Sequence, residues 1–296
     1  MPMNHITKSN KSNQILRLKD GLQIGYAEYG DMDGKPLFFF HGTPGSRLTR
    51  HPDESIPTSL GVRIITIDRP GYGLSDFHPD NTLVNWTEDV VQLADALKIE
   101  QFAVIGVSGG GAYALACTSQ IPERITWTGV ISSISPINVS KVTKGMNLTN
   151  RVLFGVAQYI PFLLRPLSSL AVRTARKNPQ KLLDGMENIF PVPDKEVLFQ
   201  PTVRDMFLED LPQAFRQGSH GFTLDMKILA QSWGFQLQNI SQKVYLWHGE
   251  KDENVPLNSG RYLASTIPNC EAHFYPEEGH LLIFNHWQEI LATLVN

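Results

Sequence analysis

The sequence of 296 residues has only two cysteines, Cys117 and Cys270. An isolated pair in a chain of this length does not make a disulfide framework, and free thiols suit a reducing compartment. We therefore expect a cytoplasmic protein. The metal-binding spacings His-Glu-x-x-His and Cys-x-x-Cys are also missing from the sequence. We predict neither a metal ion nor a cofactor.

The chain has no excess of basic residues, since its formal net charge is −3. This balance argues against a nucleic-acid partner and leaves a small-molecule substrate as the expected partner. Residues 1–13 are polar with no apolar run, so we expect a flexible N-terminus without a signal peptide. The longest apolar stretch, 152–172, contains Arg165 and two prolines, which predicts broken amphipathic helices instead of an integral membrane segment. The sequence does not indicate the oligomeric state.

Strand and helix patterns alternate through most of the chain. A hairpin is predicted at 14–19 and 22–29, joined at Asp20-Gly21. Apolar and β-branched runs predict further strands at 36–40, 62–68, 102–107, 127–134, 244–247 and 272–275. Helical spacing predicts helices at 82–98, 109–120, 258–267 and 281–294.

Alternating strands and helices predict an α/β protein with a mainly parallel central sheet flanked by helices. The alternation stops over 138–231, where the pattern is helical and rich in proline. We interpret this segment as a helical cap above the carboxyl ends of the strands, where ligands bind in open α/β sheets. Residues 14–137 and 232–296 are then predicted to form the core domain.

Residues 106–110 read Gly-Val-Ser-Gly-Gly between a buried strand and a helix. A strand that turns sharply into a helix strains the central serine, and the flanking positions must lack bulk. The helix N-terminus also favours developing negative charge. The pattern predicts that Ser108 is a nucleophile, and the alternative is a tight glycine turn without chemistry.

A serine hydroxyl needs an adjacent base, which is usually a histidine oriented by a carboxylate. Asp252 lies in the loop after the strand 244–247, and His280 follows a glycine after the last strand. The order serine, aspartate, histidine is typical of this kind of elbow. Glu250 and Glu253 are rivals of the aspartate by proximity alone.

Acyl transfer creates a negative tetrahedral oxygen, which backbone amides stabilise by ~3–4 kcal/mol each. We predict that the Gly109 amide is one donor, because it directly follows the serine. The second is expected from the loop 41–46, His-Gly-Thr-Pro-Gly-Ser, which leaves the strand 36–40. We choose the Thr43 amide, since Pro44 has no N–H to donate. The alternative is a simple glycine turn.

Together these segments resemble the α/β-hydrolase superfamily over about residues 20–295. The resemblance is closest to the group with the motifs HGxPG, D-x-x-G-x-G-x-S, GxSxG, HGxxDxxVP and GH. These motifs stand at 41–45, 68–75, 106–110, 248–256 and 279–280. The resemblance implies an α/β-hydrolase fold and the catalytic triad Ser108, Asp252 and His280. It implies a mainly structural role, near the pocket entrance, for the segment that begins at Asp68.

The elbow carries serine, which argues against haloalkane dehalogenases and epoxide hydrolases, whose elbow carries an acid. Proline iminopeptidases usually show HGGPG and Ser-Trp, and Thr43 and Gly109 depart from both. We expect a serine carboxylesterase. Alternatives are a proline-iminopeptidase-like enzyme, a C–C bond hydrolase, an acyltransferase, a cofactor-free haloperoxidase and a non-catalytic ligand receptor, because the fold and the triad do not choose between them.

Aromatic residues are numerous from 138 to the end of the cap segment and just beyond it. Most must pack the cap against the core, and a few are expected to line the pocket, since ligand sites are largely apolar. We predict contact with substrate for Phe154, Phe162, Phe207 and Trp233. The expected substrate is small to medium in size, uncharged and fairly hydrophobic.

Overall fold

The computed structural model describes residues 11–187 and 190–295. Its centre is an eight-stranded sheet with the order β1-β2-β4-β3-β5-β6-β7-β8. The strands are β1 Lys11–Arg17, β2 Gln23–Gly30, β3 Lys35–Phe40, β4 Val62–Ile67, β5 Phe102–Val107, β6 Ile125–Ile131, β7 Val244–Gly249 and β8 Cys270–Tyr275. Strand β2 pairs antiparallel with β1 and β4, and the other neighbours are parallel. The mainly parallel sheet predicted from the sequence is confirmed.

Helices cover both faces of the sheet, because its strands alternate apolar side chains between the two sides. Phe38 and Phe40 of β3 belong to one core cluster, and Leu37 and Phe39 belong to the other. The first cluster includes residues of α2 Trp86–Ala96, α3 Gly110–Gln120 and α10 Leu257–Thr266. The second is covered by α1 Ser55–Ser59 and α11 Ile283–Val295.

Between β6 and β7 the described residues form helices and no strand. The helices are α4 Leu148–Tyr159, α5 Leu164–Lys177, α6 Pro179–Glu187, α7 Val192–Leu198, α8 Pro201–Ala214 and α9 His220–Ala230. We call α4–α9 the inserted helices. Within the described ranges, we find no helix whose length and apolarity would let it span a bilayer.

Two predicted strand boundaries were wrong by three residues. The first strand begins at Lys11 instead of residue 14. The flexible N-terminus expected over 1–13 stays a prediction, and its residues 1–10 lie outside the described residues. The polar start of β1 is held by buried Arg47, which donates to the Ser12 carbonyl and the Asn13 side chain. Strand β6 ends at Ile131 instead of residue 134, because Ser132 has a positive φ of 46°.

The carboxyl ends of the parallel strands meet at one edge of the sheet. Phe40 at the end of β3 pairs with Gly106 near the end of β5, so the loops that follow emerge side by side. Gly249 and Tyr275, at the ends of β7 and β8, also pair. The predicted functional loops are therefore brought together by strand register.

Candidate active site

Ser108 lies in the turn between β5 and α3 with a φ of 57°, a conformation that side-chain-bearing residues rarely adopt. The turn is tight, because a Cβ on Gly106 would lie 2.2 Å from the Gly110 carbonyl oxygen. The Ser108 amide donates to the Ile131 carbonyl at 2.9 Å, which ties the turn to β6. The backbone at the predicted nucleophile is thus strained and fixed.

The His280 imidazole faces the Asp252 carboxylate, with 2.7 Å between Nδ1 and Oδ2. The other carboxylate oxygen, Oδ1, accepts from the amides of Asn254 and Val255 at 2.9 and 2.8 Å. Burial lowers the pKa of His280, but the charge and hydrogen bond of Asp252 outweigh burial, and the net pKa is raised. With Nδ1 bound to the carboxylate, Nε2 is the nitrogen left to take a proton.

The two rival carboxylates, Glu250 and Glu253, are both exposed, whereas Asp252 is only 4 % exposed. A fourth carboxylate, which the sequence did not indicate, lies close by. Asp194 of α7 is buried, and its Oδ1 accepts from the Leu281 amide at 2.7 Å. Its charge also contributes to the raised pKa of His280. An inserted helix therefore holds the histidine loop.

Thr43 and Gly109, the predicted oxyanion residues, are neighbours. A Cβ on Gly109 would lie 2.4 Å from Thr43 Oγ1, so this approach requires glycine. Thr43 and Gly109 line the same cavity as Ser108 and His280. The structure thus brings together the loop after β3, the serine turn and the histidine loop.

A buried ion pair holds the Thr43 loop. Asp225 of α9 accepts from Thr43 Oγ1 at 2.7 Å, from Tyr113 at 2.6 Å and from Tyr72 at 3.0 Å. It also pairs with Arg69, whose Nη2 lies 2.5 Å from Oδ2, and both side chains are buried. Because every donor converges on one carboxylate, the geometry of this loop depends on an inserted helix.

Arg69, which follows β4 in the core, also contacts the Thr43 loop. Its guanidinium donates to the carbonyls of His41 and Gly42 and to Thr43 Oγ1, the last at 3.1 Å. A buried ion pair stabilises a fold only while both charges remain, since each lost its hydration on burial. Asp225 and Arg69 therefore form one unit with the loop.

We expect Asp225→Asn to lower the free energy of unfolding by about 3–5 kcal/mol, because Arg69 would remain as an uncompensated buried charge. Urea denaturation measures this change. Tyr113→Phe removes one hydrogen bond and keeps both charges, so we expect a loss of about 1–2 kcal/mol. Asp95→Asn breaks the partly exposed ion pair with Arg124 and should cost less than about 1 kcal/mol. Equal losses for Asp225→Asn and Asp95→Asn would contradict the assigned role.

A cavity of about 250 Å³ lies between the predicted functional loops and the inserted helices. Helices α4, α6, α7, α8 and α9 contribute apolar side chains to its wall, represented by Phe154, Leu183, Leu198, Phe207 and Phe222. The wall is therefore largely apolar around the predicted serine and histidine.

Charged groups at the cavity are neutralised. Arg50 donates to Glu209 at 3.0 Å and also pairs with Glu54. Burial lowers the pKa of His51, and burial raises the pKa of Asp210 to about 7. Asp210 accepts from the amide and the hydroxyl of Ser46 at 3.0 and 2.6 Å. Among the described residues that line the cavity, no cation without a partner is left to bind an anionic substrate.

The four predicted substrate residues divide into two pairs. Phe154 and Phe207 line the cavity. Phe162 is 74 % exposed on the turn before α5, and Trp233 is buried against Phe235 outside the cavity wall. The structure does not bring the second pair to the site, because aromatic composition alone does not tell which face of the inserted segment turns inward.

Comparisons with known proteins agree with this architecture. A family model described as "Alpha/beta hydrolase family" matches residues 37–293. A curated relative, 2-hydroxymuconate semialdehyde hydrolase from Pseudomonas putida, is 26% identical over 89% of this chain and 87% of its own.

Solved structures with a similar backbone include a bromoperoxidase from Bacillus anthracis, with a TM-score of 0.72 and 20% identity over 96% of this chain and 98% of that one. An esterase from Exiguobacterium antarcticum has a TM-score of 0.69 and 18% identity over 96% and 99%. These two likenesses show the fold. Because the family model covers most of its length, this chain belongs to the alpha/beta hydrolase family.

Proposed function

We propose that this protein is a serine hydrolase that cleaves a small to medium, uncharged carboxylic ester through an acyl-enzyme intermediate. The observation that carries the proposal is the 2.7 Å contact between His280 and Asp252, because His280 lines the same apolar cavity as the strained Ser108. A base oriented by a carboxylate is what activates a serine hydroxyl.

In the proposed reaction, Ser108 Oγ attacks the ester carbonyl while His280 Nε2 takes the hydroxyl proton. The backbone amides of Thr43 and Gly109 stabilise the oxyanion. The C–O bond to the alcohol then breaks, and the alcohol leaves with the proton from His280. Water, deprotonated by the same nitrogen, attacks the acyl carbonyl. The bond from that carbonyl carbon to Ser108 Oγ then breaks, Oγ takes the proton back from His280, and the acid departs. Asp252 stays ionised and orients the imidazole throughout.

Residues 138–231 act in this proposal as a cap over the cavity, with 14–137 and 232–296 as the core. Support comes from the wall of the cavity, to which five of the inserted helices contribute. Two buried carboxylates of the insertion, Asp194 and Asp225, contact the histidine loop and the Thr43 loop. The cap would thus keep water out and also fix the catalytic loops.

A matched pair of esters tests the substrate class. p-Nitrophenyl pentanoate and p-nitrophenyl hemisuccinate have chains of similar length, but only the second carries a terminal carboxylate. We expect kcat/KM to be at least about tenfold higher for the pentanoate, because an unpaired charge is costly at an apolar wall. Equal or better turnover of the hemisuccinate would contradict an uncharged substrate.

Hydrolysis of a C–C bond is the second candidate, because full-length relatives are named 2-hydroxymuconate semialdehyde hydrolase. A muconate is an anion. Because Arg50 is paired with Glu209, the described wall of the cavity offers no free cation to bind such an anion. Incubation with 2-hydroxymuconate semialdehyde, followed by product analysis, distinguishes the two. Turnover of this compound without ester hydrolysis would replace the first proposal.

The pH dependence of kcat/KM should report His280 as the base. The group acts in its neutral form, and its pKa is raised above 6.5, so activity should rise with pH through a value above 6.5. The carboxylates that face it are Asp252 and Asp194, and His248 lies behind Asp252. Asp194→Asn removes one negative charge, which lowers the pKa of His280 and should move the acid limb to lower pH.

Asp210→Asn is the control for this profile, because Asp210 lines the cavity and has a pKa of about 7. If the acid limb belongs to His280, it stays in place in this variant. Loss of the limb in Asp210→Asn, or an unchanged limb in Asp194→Asn, would contradict the assignment.

A further inference from the structure

The charges of this chain are unevenly distributed. Residues 124–183 contain nine of the 26 basic residues and none of the 29 acidic residues. The chain as a whole is nevertheless acidic, with a formal net charge of −3. A segment of sixty residues thus presents only positive formal charge, and it contains α4 and α5.

The same segment exposes most of the large apolar side chains on the surface. Of the eleven that are exposed in the described part of the chain, eight lie between 148 and 170. Tyr159, Phe162 and Leu170 are 77, 74 and 74 % exposed. Single exposed apolar residues are ordinary, but a concentration on two helices marks an interaction surface.

Helical spacing places these side chains in two stripes. Leu148, Val152 and Tyr159 share one face of α4, and Leu167 and Leu170 share one face of α5. The turn between the helices joins the stripes through Phe162. We call the set Leu148, Val152, Tyr159, Phe162, Leu167 and Leu170 the apolar face. The other side of α4 carries Leu153 and Phe154, which line the cavity.

Basic side chains accompany this apolar face. Arg151, Arg173, Arg176 and Lys177 are exposed, and none of them takes part in an ion pair with another described residue. Apolar side chains beside uncommitted positive charge match the boundary of a bilayer, which offers acyl chains beside anionic headgroups.

We propose that the apolar face and its basic residues bind the surface of an anionic lipid bilayer. A second copy of the chain is a poorer occupant, because a twofold interface sets each patch against its own equivalent and brings like charges together. The proposal does not depend on the reaction catalysed. It places the cavity-lining helix α4 at the membrane, from which an apolar substrate would arrive.

Sedimentation with vesicles tests the proposal. The protein is mixed with vesicles of phosphatidylcholine alone or of phosphatidylcholine and phosphatidylglycerol in equal amounts. We expect binding to the anionic vesicles only, and release by high salt, which screens exposed charges. Equal binding to both vesicles, or no binding to either, would overturn the proposal.

Two variants separate the charge from the apolar face. The triple variant Arg173→Gln, Arg176→Gln, Lys177→Gln should bind anionic vesicles about 100-fold more weakly, since each basic residue contributes about fivefold. The double variant Leu167→Ser, Leu170→Ser should lose on the order of tenfold per residue. All these side chains are exposed, so circular dichroism and thermal unfolding should match the wild type.

The matched controls make the same kinds of substitution at sites away from the apolar face. The triple variant Lys19→Gln, Lys98→Gln, Arg261→Gln makes the same change in net charge at exposed sites elsewhere. Ile15→Ser removes an exposed apolar side chain from β1. Both should bind like the wild type, and equal losses in the controls would overturn the proposal.

Analytical ultracentrifugation tests whether a second copy of the chain binds the apolar face instead of a bilayer. If the wild type is a dimer that Leu167→Ser, Leu170→Ser dissociates, and vesicle binding is absent, the face is a contact between copies and the proposal fails. A monomer that binds anionic vesicles supports it.

Discussion

Ser108→Ala is expected to lower kcat for a p-nitrophenyl ester by about 10⁶-fold, the loss typical of a serine nucleophile that acts as a unit with its base. The turn is held by backbone contacts and by Gly106, so the variant should keep the fold. Steady-state kinetics and circular dichroism on the same preparation measure both effects.

Ser132→Ala is the matched control. Ser132 also follows a central strand, also has a positive φ and is fully buried. Its hydroxyl makes no hydrogen bond to the described residues. We expect kcat close to that of the wild type. A kcat for Ser108→Ala above about one hundredth of the wild-type value would contradict a nucleophilic role.

Asp252→Asn is expected to lower kcat by about 10⁴-fold, because an amide at this position favours the wrong tautomer of His280. The position accepts hydrogen bonds from His280 and from two backbone amides, which only a carboxylate satisfies together. Glu250→Gln and Glu253→Gln are the controls, since both glutamates are exposed in the same loop. A comparable loss in either control would move the acid role to that residue.

The positions of the proposed triad residues could be predicted because local signals in the sequence mark the loops that carry them. Glycines at 106 and 109–111 indicate a turn at Ser108, and Gly279 precedes His280 after the last strand. Strand register then brings these loops together, because the carboxyl ends of parallel strands lie at one edge of the sheet. Glycine turns and strand order were therefore enough to predict that these loops meet at one edge of the sheet.

The supporting carboxylates were not predictable from the sequence. Asp194, Asp210 and Asp225 reach Leu281, Ser46 and Thr43 over sequence separations of 87, 164 and 182 residues. A single aspartate in an amphipathic helix resembles any solvated residue until its partner is known. Such contacts follow from how the inserted helices dock, which periodicity does not specify.

Because the sequence does not specify how the inserted helices dock, it also does not tell which aromatic residues line the cavity. Phe154 and Phe162 stand in one apolar stretch, and sequence composition treats them alike. In the structure the first lines the cavity, and the second lies on the exposed turn before α5. Helix α4 ends at Tyr159, and Pro161 begins a separate turn that carries Phe162. Which face turns inward was decided by packing against the core.

Labelling with a fluorophosphonate, followed by peptide mass spectrometry, tests whether Ser108 is the nucleophile and His280 its base. We expect one covalent adduct per chain, on the peptide that carries Ser108. It should be absent in Ser108→Ala and form much more slowly in His280→Ala. A folded protein that hydrolyses esters but carries the adduct on another residue, or labels at the same rate without His280, would contradict these roles.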